Sequence, residues 1–329
     1  MKKFIQCGFE FTASLKEKEK LKSKTLEVNT GSSYVYRAYE DYLNPYTNRM
    51  DRRRRRKVSD IKWINEKYDS DDCGCEVPTP IIKSKKDAIT HFNQFKSFVD
   101  ENNLTIDLHQ AQCCLGGCHI HLGLKTIPEN QRSLFIKNIA VLLTNYPQLN
   151  WAFNDPNDNE NANSLLMDLT KDNDRVYGVS DYSASMPSER RQIETEKFRE
   201  DKSLLRFILT HGTDVNAYKK FSFRYNQNYN TVELRIFDMP KNLKQHILHS
   251  DVAQAIYHYC LDKANKKILD TVEYSNQDEY QVSLAESKVR FKKVMKLLKI
   301  NPSRTRHQMK IMELRYDWNK IQTQEDYLL

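Results

Sequence analysis

Several short stretches of the chain alternate apolar and polar residues with a period of two. Side chains on a β-strand point to opposite faces in turn, so such stretches predict strands with one buried face. From Phe4 to Ala13, Phe9, Phe11 and Ala13 fall on one side, and Gly8, Glu10 and Thr12 on the other. From Cys73 to Ile82, Cys75 and Val77 oppose Gly74, Glu76 and Pro78, and Pro78 with Pro80 mark an edge or a strand end. Leu104 to Gln112 predicts a third strand, running through Cys113-Cys114-Leu115 into Gly116–Leu124. There Cys118, Ile120 and Leu122 oppose His119 and His121. Lys219 to Asn226 sets Phe221, Phe223 and Tyr225 against Lys220, Ser222 and Arg224. After a turn, Thr231 to Phe237 returns with Val232, Leu234 and Ile236 inward and Thr231, Glu233 and Arg235 outward, the pattern of a hairpin.

Longer stretches follow helical spacing. Ser84-Lys85-Lys86-Asp87 resembles a capping box, and Ala88, Ile89, Phe92, Phe95, Phe98 and Val99 recur on one helical face until Asn102-Asn103. Thr126 is placed to cap a second helix, with Pro128 in its first turn, ending near Asn145 ahead of Pro147. Trp151 to Asn163 has loop composition, and residues 164–192 carry no clear pattern. Glu194 to His211 is amphipathic, with Gly212 as its terminator. Helices are expected over about 243–267, 281–299 and 303–320, packed behind the sheet. A sheet apolar on one face, covered there by helices, defines an α+β fold with an antiparallel sheet. The expected organisation is a domain over 1–240, with a basic insertion around 14–70, and a helical region over 241–329 packed on it.

Composition changes this picture little. Of 329 residues, 39% are hydrophobic and 11% aromatic, which suits a packed core rather than a disordered chain. The formal charge of +8 permits anionic ligands without requiring them. Arg52-Arg53-Arg54-Arg55-Arg56-Lys57 is six consecutive cations, expected as a mobile loop that either grips phosphate backbones or is simply solvated. Met1-Lys2-Lys3 starts like a secretory leader, but Gln6 and Glu10 interrupt any apolar run. No apolar run long enough for a membrane span occurs, and seven cysteines without a leader suggest reduced thiols in the cytoplasm. Glycine is scarce, with eight in all, and five of them (Gly8, Gly74, Gly116, Gly117 and Gly123) lie in the strand-like segments. A strand tolerates glycine chiefly where backbone or ligand approaches closely.

The polar faces of these strands carry the candidate chemistry. They bring Glu10, Glu76, His119, His121, Arg224, Glu233 and Arg235 to one side of the sheet, opposite the helices. Hard divalent ions take carboxylate oxygens, phosphates complete their shell, and arginines neutralise charge on a transferring phosphoryl group. That set therefore predicts a site for magnesium and a polyphosphate. Alternatively, Cys73, Cys75, Cys113, Cys114 and Cys118 with His119 and His121 form a zinc module, although their spacing is not that of common structural zinc sites.

The ordered motifs Gly8-Phe9-Glu10-Phe11, Gly74-Cys75-Glu76-Val77-Pro78-Thr79-Pro80, Gly117-Cys118-His119-Ile120-His121-Leu122 and Thr231-Val232-Glu233-Leu234-Arg235-Ile236-Phe237 resemble the glutamine-synthetase-like carboxylate–amine ligases. The nearest likeness is to the small amidoligases of bacteria and phages, and Arg224-Tyr225-Asn226 fits the same order. The resemblance implies a curved antiparallel sheet with helices on one face and the active site on the other. It implies an ATP-dependent, magnesium-requiring ligase that joins a small-molecule or peptide carboxylate to an amine through an acyl phosphate. By the same implication Glu10, Glu76, Glu233 and His119 hold metal. His119, His121 and Arg235 contact the nucleotide, and Arg235 with Arg224 stabilises the transferred phosphoryl group. The family's first strand carries Glu-x-Glu, whereas here the second position is Thr12. That departure motivates the alternative of a catalytically degenerate ligase fold, serving as a phage structural or nucleic-acid-binding protein through Arg52–Lys57. The expected location is the bacterial cytoplasm, or the virion for a phage protein.

Overall fold

The structure is a computed structural model, and it describes residues 3–16, 39–43, 50–55, 59–67, 69–71, 74–102, 104–107, 117–146, 148–153, 223–226, 230–265 and 283–314. It is a mixed α+β fold in which every strand register described is antiparallel. The chain divides into two compact units: an amino-terminal unit of Gln6–His119 with Asp238–His249, and a carboxy-terminal unit of Met1–Ile5, Ile120–Phe237 and Ser250–Leu329.

In the amino-terminal unit, β1 (Cys7–Leu15) pairs with β5 (Gly74–Pro78), and β5 with β4 (Asp69–Asp71). Helix α1 (Lys62–Lys67) precedes β4, and its Ile64 is buried. Helix α2 (Lys85–Glu101) supplies the apolar cover. Ser84 caps it as expected, its hydroxyl accepting from the Asp87 N–H at 3.1 Å. The core is aromatic: Phe9, Phe11, Phe92, Phe95 and Phe98 are each at most 1% exposed. Fully burying such a ring contributes roughly 1.5–3 kcal/mol. His246 belongs to this core. It stacks on Phe92 with ring centroids 4.5 Å apart and lies 4.8 Å from Phe9. Its Nε2–H donates to the Ala88 carbonyl at 3.1 Å. Burial pulls its pKa down to about 4, against a smaller upward pull from that carbonyl.

Two expectations change here. The strand expected over Leu104–Gln112 is only β6, Leu104–Thr105, because the chain bends at Ile106, where the Thr105 hydroxyl accepts from the Asp107 N–H at 3.0 Å. Residues 108–112 lie outside the described part. The arginine run is not a loop throughout. Arg52–Arg55 lie in β3 (Met50–Arg55), paired with β2 (Tyr39–Leu43), while Arg56 and Lys57 lie outside the described residues. The register sets Asp41 across from Arg52 and Glu40 across from Arg54.

In the carboxy-terminal unit, β9 (Thr231–Leu234) pairs with both β7 (His119–Gly123) and β8 (Phe223–Asn226). The expected hairpin forms, with Asn230 at φ 50° next to β9, a left-handed turn conformation that asparagine tolerates. Helices α3 (Glu129–Asn145), α4 (Gln148–Phe153), α5 (Leu243–Asn265) and α6 (Leu284–Leu297) complete the described elements, with a 3-10 turn at Pro302–Thr305 leading into a helix over 306–314. Two expectations fail because tertiary partners override the local pattern. Thr126 does not cap α3, whose N-cap is Pro128; the Thr126 hydroxyl is instead 3.0 Å from the buried Tyr257 hydroxyl. Trp151–Phe153 are helical rather than loop, because all six side chains of α4 are buried and Phe153 packs on Phe237 and Phe291. The expected helix at 194–211 and residues 164–192 lie outside the described part. Among the described residues no helix is long and apolar enough to cross a membrane.

Candidate functional site

Glu10 and Glu76 meet because of register. Across β1 and β5, Thr12 faces Glu76 and Glu10 faces Pro78, so the two glutamates are diagonal neighbours on one sheet face. The other face is filled by Phe9, Phe11, Cys75 and Val77, so a one-residue slip would bury the carboxylates. Thr79 pins this register where β5 ends. Its N–H donates to the Phe9 carbonyl at 2.7 Å, and its hydroxyl accepts from the Phe9 N–H at 2.9 Å. Nothing in the alternation pointed to Thr79; its place between Pro78 and Pro80 was the one available signal.

His119 joins the pair. Its Nδ1 lies 3.0 Å from Glu10 Oε2, with the side chains 17% and 24% exposed. A carboxylate accepts, so Nδ1 carries the hydrogen, and Glu10 orients the ring. Potential ligand atoms of Glu10, Glu76 and His119 all lie within 4.8 Å of one another. Two carboxylates and one imidazole in that space form a donor set suited to one divalent cation. The set combines hard oxygen with imidazole nitrogen, so it fits manganese at least as well as magnesium.

Thr12 lies on the same strand face, opposite Glu76. Its hydroxyl donates to the Gly117 carbonyl at 3.4 Å, and its N–H reaches Met239 Sδ at 3.2 Å. The position at which the resembling family has a second glutamate here ties β1 to the segment that leads into His119.

The remaining candidates sit in the carboxy-terminal unit. Register places His121 across from Glu233, and Arg224 across from Glu233 on the other side. His121 Nδ1 is 3.4 Å from the Thr231 hydroxyl. Arg235 Nη1 is 3.2 Å from Glu233 Oε1, with side chains 16% and 4% exposed. Glu233 was expected on the outward face with Thr231 and Arg235. It is instead buried, held by its ion pair with Arg235.

The thiols are core residues. Cys75 and Cys118 are buried on the faces opposite Glu76 and His119. Burial pushes both thiols up, with Glu76 adding to the effect at Cys75 and Glu10 followed by Cys7 adding to it at Cys118. Protonated thiols are poor metal ligands, and among the described residues no cysteine joins a converging donor group. The zinc module therefore has no support from Cys75 and Cys118; Cys73, Cys113 and Cys114 lie outside the described residues.

Compared with known protein families and with curated proteins, the chain matches none.

Proposed function

We propose that the chain is an ATP-dependent carboxylate–amine ligase. The observation that carries this reading is the convergence of Glu10, Glu76 and His119 within 4.8 Å on the polar face of paired strands. In this reading Glu10, Glu76 and His119 hold a divalent cation, magnesium or manganese. When bound, the cation neutralises negative charge on the nucleotide's phosphates. His121 contacts phosphate, and Arg235, aided by Arg224, stabilises the phosphoryl group during transfer. The γ-phosphoryl group moves from ATP to a substrate carboxylate oxygen, releasing ADP. An amine nitrogen then attacks the acyl carbon, the phosphate leaves with its C–O bond electrons, and the amine loses a proton.

A second reading keeps the fold without catalysis. It is favoured by Thr12, whose hydroxyl donates to the Gly117 carbonyl and cannot supply a carboxylate's charge. One assay separates the two. Hydroxylamine serves as a general amine, offered with ATP, Mg2+ or Mn2+, and a panel of amino-acid and short-peptide carboxylates. The ligase yields hydroxamate and ADP in equal amounts with at least one carboxylate. Failure of ATP to bind with either cation rejects the ligase and leaves the second reading.

A further inference from the structure

The carboxy-terminal helices carry a large excess of positive charge. Over residues 284–314 there are nine lysines and arginines against two glutamates, a net +7 where the whole chain carries +8. Both glutamates are already paired within the segment, Glu286 with Arg290 at 2.6 Å and Glu313 with Lys288. Arg304 pairs with Asp251 at 2.8 Å. Lys292, Lys293, Lys296, Lys299, Arg306 and Lys310 are all exposed, and none has an ion-pair partner among the described residues. An ordinary solvated surface mixes signs, so six unmatched cations on two consecutive helices call for an anionic partner.

The backbone holding these cations is tightly built. Ser283 caps α6, accepting from the Glu286 N–H at 3.2 Å. The helix closes with the Ile300 N–H on the Met295 carbonyl and the Lys299 N–H on the Lys296 carbonyl, the paired bonds of a Schellman turn. Lys299 takes φ 58° there, where glycine is the usual residue because it has no Cβ to clash. A lysine held at that position places a further cation at the corner at some conformational cost. The next helical segment starts at once. The Asn301 side chain accepts from the Ser303 N–H at 3.0 Å, Pro302 follows, and the 3-10 turn runs into the helix over 306–314. Phe291, Val294, Met295, Leu298, Ile300, Ile311 and Met312 are buried, so the apolar faces are used up by packing while the cations remain outside. Only Val289 and Leu314 are large exposed apolar residues of this segment, too few and too scattered for a membrane-embedded face.

We propose that α6 and the helix over 306–314 form a helix–turn–helix that binds double-stranded DNA through Lys292, Lys293, Lys296, Lys299, Arg306 and Lys310. Two helical segments joined by a four-residue corner over 298–301, with the second opening on the 3-10 turn Pro302–Thr305 and carrying cations near its start, suit the B-form major groove, which admits an α-helix. The deep, narrow major groove of A-form RNA does not admit one. This inference is independent of the ligase reading, since it involves none of that reading's residues.

The test is fluorescence anisotropy of the purified full chain with a labelled 30-base-pair DNA duplex, across a salt series. A matching RNA duplex and vesicles of anionic lipid are the comparisons. DNA binding should fall steeply with salt, by a log–log slope of about 0.9 for each phosphate neutralised. The exposed double variant K292S/K296S should lower that slope by about two and weaken binding at least tenfold near 0.1 M salt. R306S/K310S should do the same. Replacing Arg52–Arg55 with serine should leave binding unchanged. Absence of DNA binding at low salt overturns the proposal. So does undiminished binding by both double variants with native circular dichroism, or tighter binding to the RNA duplex or the vesicles.

Discussion

Two glutamate sites in this protein illustrate opposite uses of a carboxylate. Glu10 and Glu76 stand together beside His119, partly exposed, with ligand atoms within 4.8 Å. Glu233 is buried and matched by Arg235 at 3.2 Å. The first arrangement concentrates negative charge, and on the ligase reading a cation from outside completes it. The second has its counter-charge built in and is complete as folded. Electrostatics therefore predicts opposite responses to similar substitutions at the two sites.

The largest effect is expected on turnover. Glu76→Gln keeps the shape but removes one charge of the converging pair. On the ligase reading, ADP release should fall on the order of 10²–10³-fold, the loss typical of one electrostatic group at a reacting centre. Added Mn2+ should recover part of it. A steady-state assay across cation concentrations reads this, and unchanged turnover would separate the pair from catalysis.

Stability gives the next contrast. Glu233→Ala leaves the Arg235 cation in a mostly buried place without its partner, and should cost about 3 kcal/mol in urea unfolding. Glu76→Gln, measured without divalent ions, should be neutral or slightly stabilising, because it relieves repulsion with Glu10. If both variants destabilise equally, the two sites do not differ as described.

The core beside β1 has its own pH signature. His246 titrates near 4 in the folded protein, below the ordinary histidine value of 6.5. Its contribution is fully present above pH 6.5 and declines as pH falls towards 4, where the unfolded chain takes a proton that the folded chain refuses. The loss across that window is about 3 kcal/mol. His246→Phe should flatten this limb of the stability profile, whereas Glu76→Gln should leave it in place. An identical slope in His246→Phe and the parent would contradict the buried neutral ring.

The smallest effect is the most diagnostic of the donor set. Thr12→Glu places a third carboxylate opposite Glu76. Without cation it should cost about 1 kcal/mol, through repulsion and loss of the bond to Gly117. With Mn2+ present, the thermal midpoint should rise by more than it does in the parent. An equal rise in both proteins would mean that position 12 does not reach the cation.

Most of this architecture was legible because period-two patterns are strong where one sheet face is buried. Phe9 and Phe11, Ile120 and Leu122, and Val232 and Leu234 all fall inside, as their alternation predicts. Helix α2 was readable down to its Ser84 cap. The misses lie where tertiary partners override local pattern. Thr126 has capping chemistry but faces Tyr257, and α4 has polar flanks but a fully buried body. Glu233 alternates outward yet is buried, because Arg235 two residues later offsets the cost of taking its charge out of water. Register could not be read from alternation alone. It is the offset between β1 and β5 that makes Glu10 and Glu76 diagonal neighbours. The basic helix pair needed only a charge count over 284–314, but its unmatched cations emerge once the ion pairs of Glu286, Glu313 and Asp251 are known.

The central claim is that Glu10, Glu76 and His119 form a cation site serving a nucleotide. Calorimetric titration of the full chain with ATP, in the presence of Mg2+ or Mn2+, tests it most directly. The account predicts saturable binding that requires the divalent ion and is abolished in the Glu10→Gln, Glu76→Gln double variant. Absence of binding with either cation, or undiminished binding by that double variant, would contradict it.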